Sequence, residues 1–199
     1  MNALFGLSGC ALLCLAVIAS SVRLDGRAIR IRYAILVAAA ILLFVPVGGL
    51  PVVAYVRGVT GDLSAATLAL AAGTLVSCFT GRAVVEPRER NALLWAVAAA
   101  SLFLYPFALG WTPFDPYALG YGSPVFTTAL LLVTLAAWRA GLKLVVAVVL
   151  LGALACLVGL YESRNLWDYL IDPLAFAYAL LKPAAALVRR RAVGGELAA

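Results

Sequence analysis

The feature that most constrains this chain is an alternation. Apolar runs long enough to cross a bilayer are separated by short links, and every second link is rich in arginine. A helix needs about 20 apolar residues to cross a hydrocarbon core about 30 Å thick. Residues 3–22 form such a run, followed by Arg23, Arg27, Arg30 and Arg32. A second run, 33–56, is broken in its distal half by Pro46, Gly48, Gly49 and Pro51, which free backbone groups that neighbouring helices or water must satisfy. Further runs occupy 63–80, 91–110, 124–138 and 144–161. A last stretch, 174–188, contains Lys182 and Pro183 and ends on Arg189, Arg190 and Arg191.

Of the 199 residues, 65% are hydrophobic and only 12% charged, against about a quarter charged in soluble domains. No room remains for a separate soluble domain. The expected architecture is an all-α polytopic transmembrane bundle over residues 1–191 with a short tail at 192–199. It has six or seven spans according to whether 174–188 crosses. Leu7, Ser8, Gly9 and Cys10 resemble a lipoprotein cleavage box, but no basic flank precedes them and the apolar run continues, so the segment reads as an uncleaved first span.

Charge sets the expected orientation. The links after the first, third and fifth runs carry Arg23, Arg27, Arg30, Arg32, Arg82, Arg88, Arg90, Arg139 and Lys143, and the tail adds three arginines. The opposite links hold only Arg57 and Arg164. Basic residues stay on the cytoplasmic side, which places the N-terminus outside. The net charge of +6 thus reads as topology, and a nucleic-acid partner is excluded because the arginines sit in short clusters between apolar runs. Arginine over lysine and abundant alanine point to a GC-rich bacterial genome and hence to the inner membrane. The partners expected are the lipid bilayer and either a small solute or another membrane protein.

Helix punctuation is legible. Asp62 or Ser64 offers an N-cap to the third run, and Ser123–Pro124 and Asp172–Pro173 read as N-cap and first helical position. Ala65, Ala69, Gly73, Ser77 and Gly81 recur every fourth residue, as do Ala92, Ala96 and Ala100, a spacing that favours close helix contact.

The absence of histidine removes imidazole-based triads, His-ligated metals and imidazole relays. Cys10, Cys14, Cys78 and Cys156 lie inside apolar runs, where thiols act as small hydrophobes. Chemistry is therefore expected on the face away from the arginines. The candidate binding residues there are Arg57, Asp62, Asp115, Tyr117, Glu162, Arg164, Asn165, Trp167, Asp168 and Asp172. If 162–172 is helical, Arg164, Asp168 and Asp172 share one face. Paired carboxylates can hold a divalent cation, cradle an amine or divide acid and base roles.

The four-residue spacing of Asp168 and Asp172 resembles the aspartate motif of membrane prenyltransferases and CDP-alcohol phosphotransferases. Arg164 and Asn165 stand where the prenyltransferase pattern has Asn and Asp, and no second aspartate motif follows, so no family is assigned. Three roles are left. The first is recognition or transport of a solute or lipid head group at the outer polar cluster, with no cofactor. The second is a metal-dependent enzyme acting on a lipid-linked substrate, with Asp168, Asp172 and Glu162 as catalytic candidates and Asp168 and Asp172 as metal ligands. The third is an assembly subunit that uses the small-residue stripes.

Overall fold

A computed structural model describes residues 2–110 and 113–182. Its architecture is helical, in the order α1 (Asn2–Ser21), α2 (Ile29–Phe44), α3 (Val52–Thr60), α4 (Ala65–Thr80), α5 (Pro87–Ala108), α6 (Pro124–Arg139), α7 (Lys143–Leu157), α8 (Leu166–Leu170) and α9 (Pro173–Lys182). The expected end of the bundle at 191, the 192–199 tail, the triple arginine and Trp111 lie outside the described residues.

The broken second run resolves into two helices around a hairpin, β1 (Pro46–Val47) and β2 (Leu50–Pro51). Gly48 and Gly49 both carry positive φ, 59° and 92°, which a two-residue hairpin turn demands and which glycine adopts without steric cost. Tyr55 Oη donates to Val47 O at 2.7 Å and ties the hairpin back to α3. The run that sequence reads as one interrupted span is thus a helix, a reversal and a second short helix.

Among the described residues two helices are long and apolar enough to cross a membrane: α1, over Ala3–Ser21, and α5. Of their most apolar windows, 28% and 33% are buried. α4, α6, α7 and α9 are apolar but shorter. At 1.5 Å per residue, the 16 residues of α4 or α6 reach about 24 Å, less than the hydrocarbon thickness. α5 starts four residues earlier than its apolar run because Pro87 suits the first helical turn, so Arg88, Glu89 and Arg90 are helical.

The interior mixes alanines with leucines and a few aromatics, while many large apolar side chains stay exposed. One cluster gathers Ala66, Ala98, Ala137, Ala175 and Ala179 around Leu93, Val97, Val145 and Val148. A second joins Ala16 and Ala19 of α1 to Ala71 and Leu75 of α4, which pack along each other. Leu131, Leu132 and Val133 on α6, Leu150, Leu151 and Leu154 on α7, and Ile41, Leu42 and Phe44 on α2 are exposed.

The small-residue stripe of α4 is used within the chain. A side chain at Gly73 would meet Val85, Ser77 Oγ accepts from Val84 N at 3.1 Å, and Ala65 faces Gly152 of α7. On α5, Ala92 and Ala100 pack against the main cluster while Ala96 is exposed.

The two ends of the bundle differ in their links. At one end Arg32 Nη1 donates to Cys78 O, Arg88 Nη2 donates to Ala140 O at 2.8 Å, and Leu144 N donates to Glu89 Oε2 at 2.9 Å. These bonds bring all the interhelical arginine clusters together. The links of the other end meet around Asp168 and Asp172.

Candidate functional site

The site grows from two helix starts. Asp172 caps α9, with Oδ1 accepting from Ala175 N at 2.7 Å, while Oδ2 accepts from Ser64 N at 2.8 Å. Ser64, itself fully buried, caps α4 through Thr67 N at 3.3 Å. One carboxylate therefore serves two helix N-termini, where backbone N–H groups and the helix dipoles favour an anion.

Asp168 lies on α8, a helix of five residues that stops at Leu170 because Ile171 is extended, with φ −136° and ψ 150°. The residue before a proline avoids helical backbone, so Asp172 ahead of Pro173 opens a new helix instead of continuing α8. The expected single helical face of Arg164, Asp168 and Asp172 is thus not formed. The two aspartates still line one cavity, from either side of the extended Ile171. Asp168 Oδ2 accepts from Tyr117 Oη at 2.9 Å and from Ser163 Oγ at 2.5 Å.

That cavity measures about 410 Å³ and is lined by Thr60, Asp62, Leu104, Tyr105, Ala108, Tyr117, Tyr161, Ser163, Asp168, Ile171, Asp172 and Pro173. Asp62 forms a bidentate ion pair with Arg57, Nε to Oδ1 at 2.8 Å and Nη2 to Oδ2 at 3.2 Å. The pair lies over Gly6 of α1, where any side chain would collide with both partners. Ser64, not Asp62, is the cap of α4.

Tyr161 Oη donates to Leu63 O at 2.8 Å, and its ring stacks on Tyr169 with centroids 5.0 Å apart. Tyr169 Oη in turn accepts from Tyr161 N at 3.0 Å and donates to Ser163 O at 2.9 Å. Burial, and then the nearby Asp62 carboxylate, push the Tyr161 phenol up to about 12. Burial and the hydrogen bond to Asp168 push Tyr117 up as well. Both phenols are thereby kept as neutral donors.

Two of the candidates build the wall without reaching the cavity. Asn165 is fully buried: its Oδ1 caps α8 through Trp167 N at 3.0 Å, and its Nδ2 donates to Tyr117 O at 2.8 Å. Trp167 Nε1 donates to Pro116 O at 3.0 Å. Together they clamp the turn Tyr117–Gly120, and Gly120 must lack a side chain because a Cβ there would run into both. Asp115 starts that turn, its Oδ1 accepting from Tyr117 N at 2.9 Å. Glu162 and Arg164 are exposed and stand outside the cavity lining.

Sequence reasoning passed over Tyr105, Tyr161 and Ser163. Tyr105 sits inside an apolar run, where only the following Pro106 marks the approach of a helix end. Tyr161 closes its run, and both tyrosines carry the polar tip on an apolar body that suits a buried boundary. Among the described residues no group of three or more His, Cys, Asp or Glu side chains gathers to hold a metal ion. No protein-family model matches the chain, no curated protein matches it in sequence, and no solved structure matches its fold.

Proposed function

We propose that the chain is an integral protein of a bacterial inner membrane, a bundle of six or seven spans with its N-terminus outside. We propose also that its outer-end cavity recognises or transports a small solute or lipid head group. The membrane reading is supported by the two long apolar helices and by the many large apolar side chains left exposed on α2, α6 and α7, with alanines at the α1–α4 contact where helices approach closely in lipid. Orientation is supported by the arginine links gathered at the end opposite Asp168.

The observation that carries the recognition reading is the convergence of Asp168, Asp172, Tyr105, Tyr117 and Tyr161 on one cavity of small-ligand size. Topology alone would scatter acidic residues over a rim. The assembly-subunit reading keeps less support, since part of the α4 stripe packs on Val84, Val85 and Gly152 of the same chain, although Ala96 of the α5 stripe is exposed.

Native mass spectrometry of the protein released from nanodiscs tests the reading. The wild type should retain a small solute or lipid that is lost from Ala108→Trp, which fills the cavity from an exposed rim position, and reduced in Asp168→Asn. Identical bound species in all three proteins would sink it.

A further inference from the structure

The chemistry of the cavity narrows its ligand. We infer that it takes an organic ammonium group, free or as a lipid head group, held between the Asp168 carboxylate and the rings of Tyr105 and Tyr117. This rests on the cavity being a recognition site, as proposed above, and adds the class of ligand.

Three comparisons lead there. The first is sign: among the described residues no lysine or arginine lines the cavity, and the neighbouring guanidinium, Arg57, is engaged in a bidentate pair with Asp62. An anion entering would face Asp168 and Asp172 without a cationic partner, whereas a cation is attracted by both.

The second comparison is between a metal ion and an amine. Calcium takes six to eight oxygen ligands and magnesium a near-ideal octahedron. Here Asp172 spends both oxygens on backbone N–H groups, Asp62 spends both on Arg57, and Asp168 Oδ2 already accepts two hydroxyls. Only Asp168 Oδ1 is left without a hydrogen bond among the described residues. One carboxylate oxygen free of hydrogen bonds, with no group of three or more His, Cys, Asp or Glu beside it among the described residues, suits a single ammonium better than a divalent cation, which would have to complete its shell with water.

The third is the wall. Tyrosine π-faces attract cations that have shed much of their water, and aromatic rings with a carboxylate are the usual surroundings of alkylammonium ligands. Tyr105 is braced by Phe176 at 5.4 Å between centroids, and Tyr117 is braced by Tyr121 at 5.8 Å. A neutral polyol would gain nothing from these rings and would leave Asp168 uncompensated.

The test is calorimetric titration of the full chain in phosphatidylglycerol nanodiscs with tetramethylammonium and with ethanolamine, against glycerol, inorganic phosphate and magnesium chloride. Both ammonium probes should bind, with affinity falling at least tenfold in Asp168→Asn. Tyr117→Leu should lose roughly three- to thirtyfold, the range of a ring–cation contact, and Tyr117→Phe should restore most of it although it lacks the hydroxyl. Repeating the ethanolamine titration in nanodiscs that also contain phosphatidylethanolamine separates the sources. Loss of the signal there identifies the lipid head group, and an unchanged signal identifies a free amine; either result supports the inference.

Binding of phosphate, glycerol or magnesium without the ammonium probes, abolished by Ala108→Trp, would overturn the ammonium assignment and leave a recognition cavity standing. Absence of binding by every probe, or binding indifferent to both Ala108→Trp and Asp168→Asn in proteins that remain folded, would overturn both.

Discussion

The two ends of the bundle carry charge in different ways. At the arginine end, Arg23, Arg27, Arg30, Arg82 and Arg139 are exposed, and where such side chains do bond they reach backbone carbonyls of neighbouring turns, as Arg88 does at Ala140. At the other end, beside the exposed Glu162 and Arg164, three aspartates are held by partners: Asp172 between two helix starts, Asp168 between two hydroxyls, and Asp62 against Arg57. The difference teaches how to separate charge that records orientation from charge that builds a site. A head count on each side would suffice for orientation, whereas a site needs fixed positions, and Asp62, Asp168 and Asp172 have side-chain or backbone partners that fix them.

The largest effect expected from breaking this contrast is at Asp172. Replacing it with alanine orphans the N–H groups of Ser64 and Ala175 at a position only 5% exposed, which should cost about 3 kcal/mol in unfolding measured in detergent. Asn, with a single acceptor oxygen, should recover about half of it. An Asp172→Ala protein as stable as wild type would reduce that carboxylate to an ordinary rim charge.

Alkaline titration comes next. Tyr161 is held protonated in the folded state up to about 12, while an unfolded phenol ionises near 10. A raised folded pKa contributes stability that is fully present below pH 10 and is lost as pH rises through about 12. Unfolding followed against pH should therefore steepen in that window, and Tyr161→Phe should flatten it. No change in the Phe variant would remove burial of that phenol as the cause.

The smallest effect on stability belongs to the arginine end. Arg27→Gln combined with Arg30→Gln should alter unfolding by less than about 0.5 kcal/mol, since both side chains are exposed. The same pair should still weaken the orientation bias, read as a fraction of molecules inserted in reverse. A large stability loss would show that these arginines are built into the fold like the aspartates opposite.

Much of this was legible in the chain. Ser64 and Asp172–Pro173 act as the caps their residue types announce, because capping depends on local chemistry. The proline and glycine pair in the second run marks a true break. Ser123 is positioned as a cap before Pro124, yet its hydroxyl makes no capping bond.

What the chain did not disclose depends on tertiary context. Asp168 and Asp172 were expected to share one helix face and instead line one cavity from either side of the extended Ile171, ahead of Pro173. Asn165 and Trp167 look like ligand-binding residues and are wall supports, because their partners, Pro116, Tyr117 and Gly120, are distant in sequence. Tyr105 was hidden in an apolar run since hydropathy records what surrounds a helix and not which side chain faces a cavity.

The central claim is that the cavity end and the arginine end lie on opposite sides of a membrane, with the cavity outside. Paired topology reporters, one periplasmically and one cytoplasmically active, inserted at Ala118 and at Lys143 test it most directly. The account predicts periplasmic activity at Ala118 and cytoplasmic activity at Lys143. The reverse pattern, or both insertions reporting the same compartment, would contradict it.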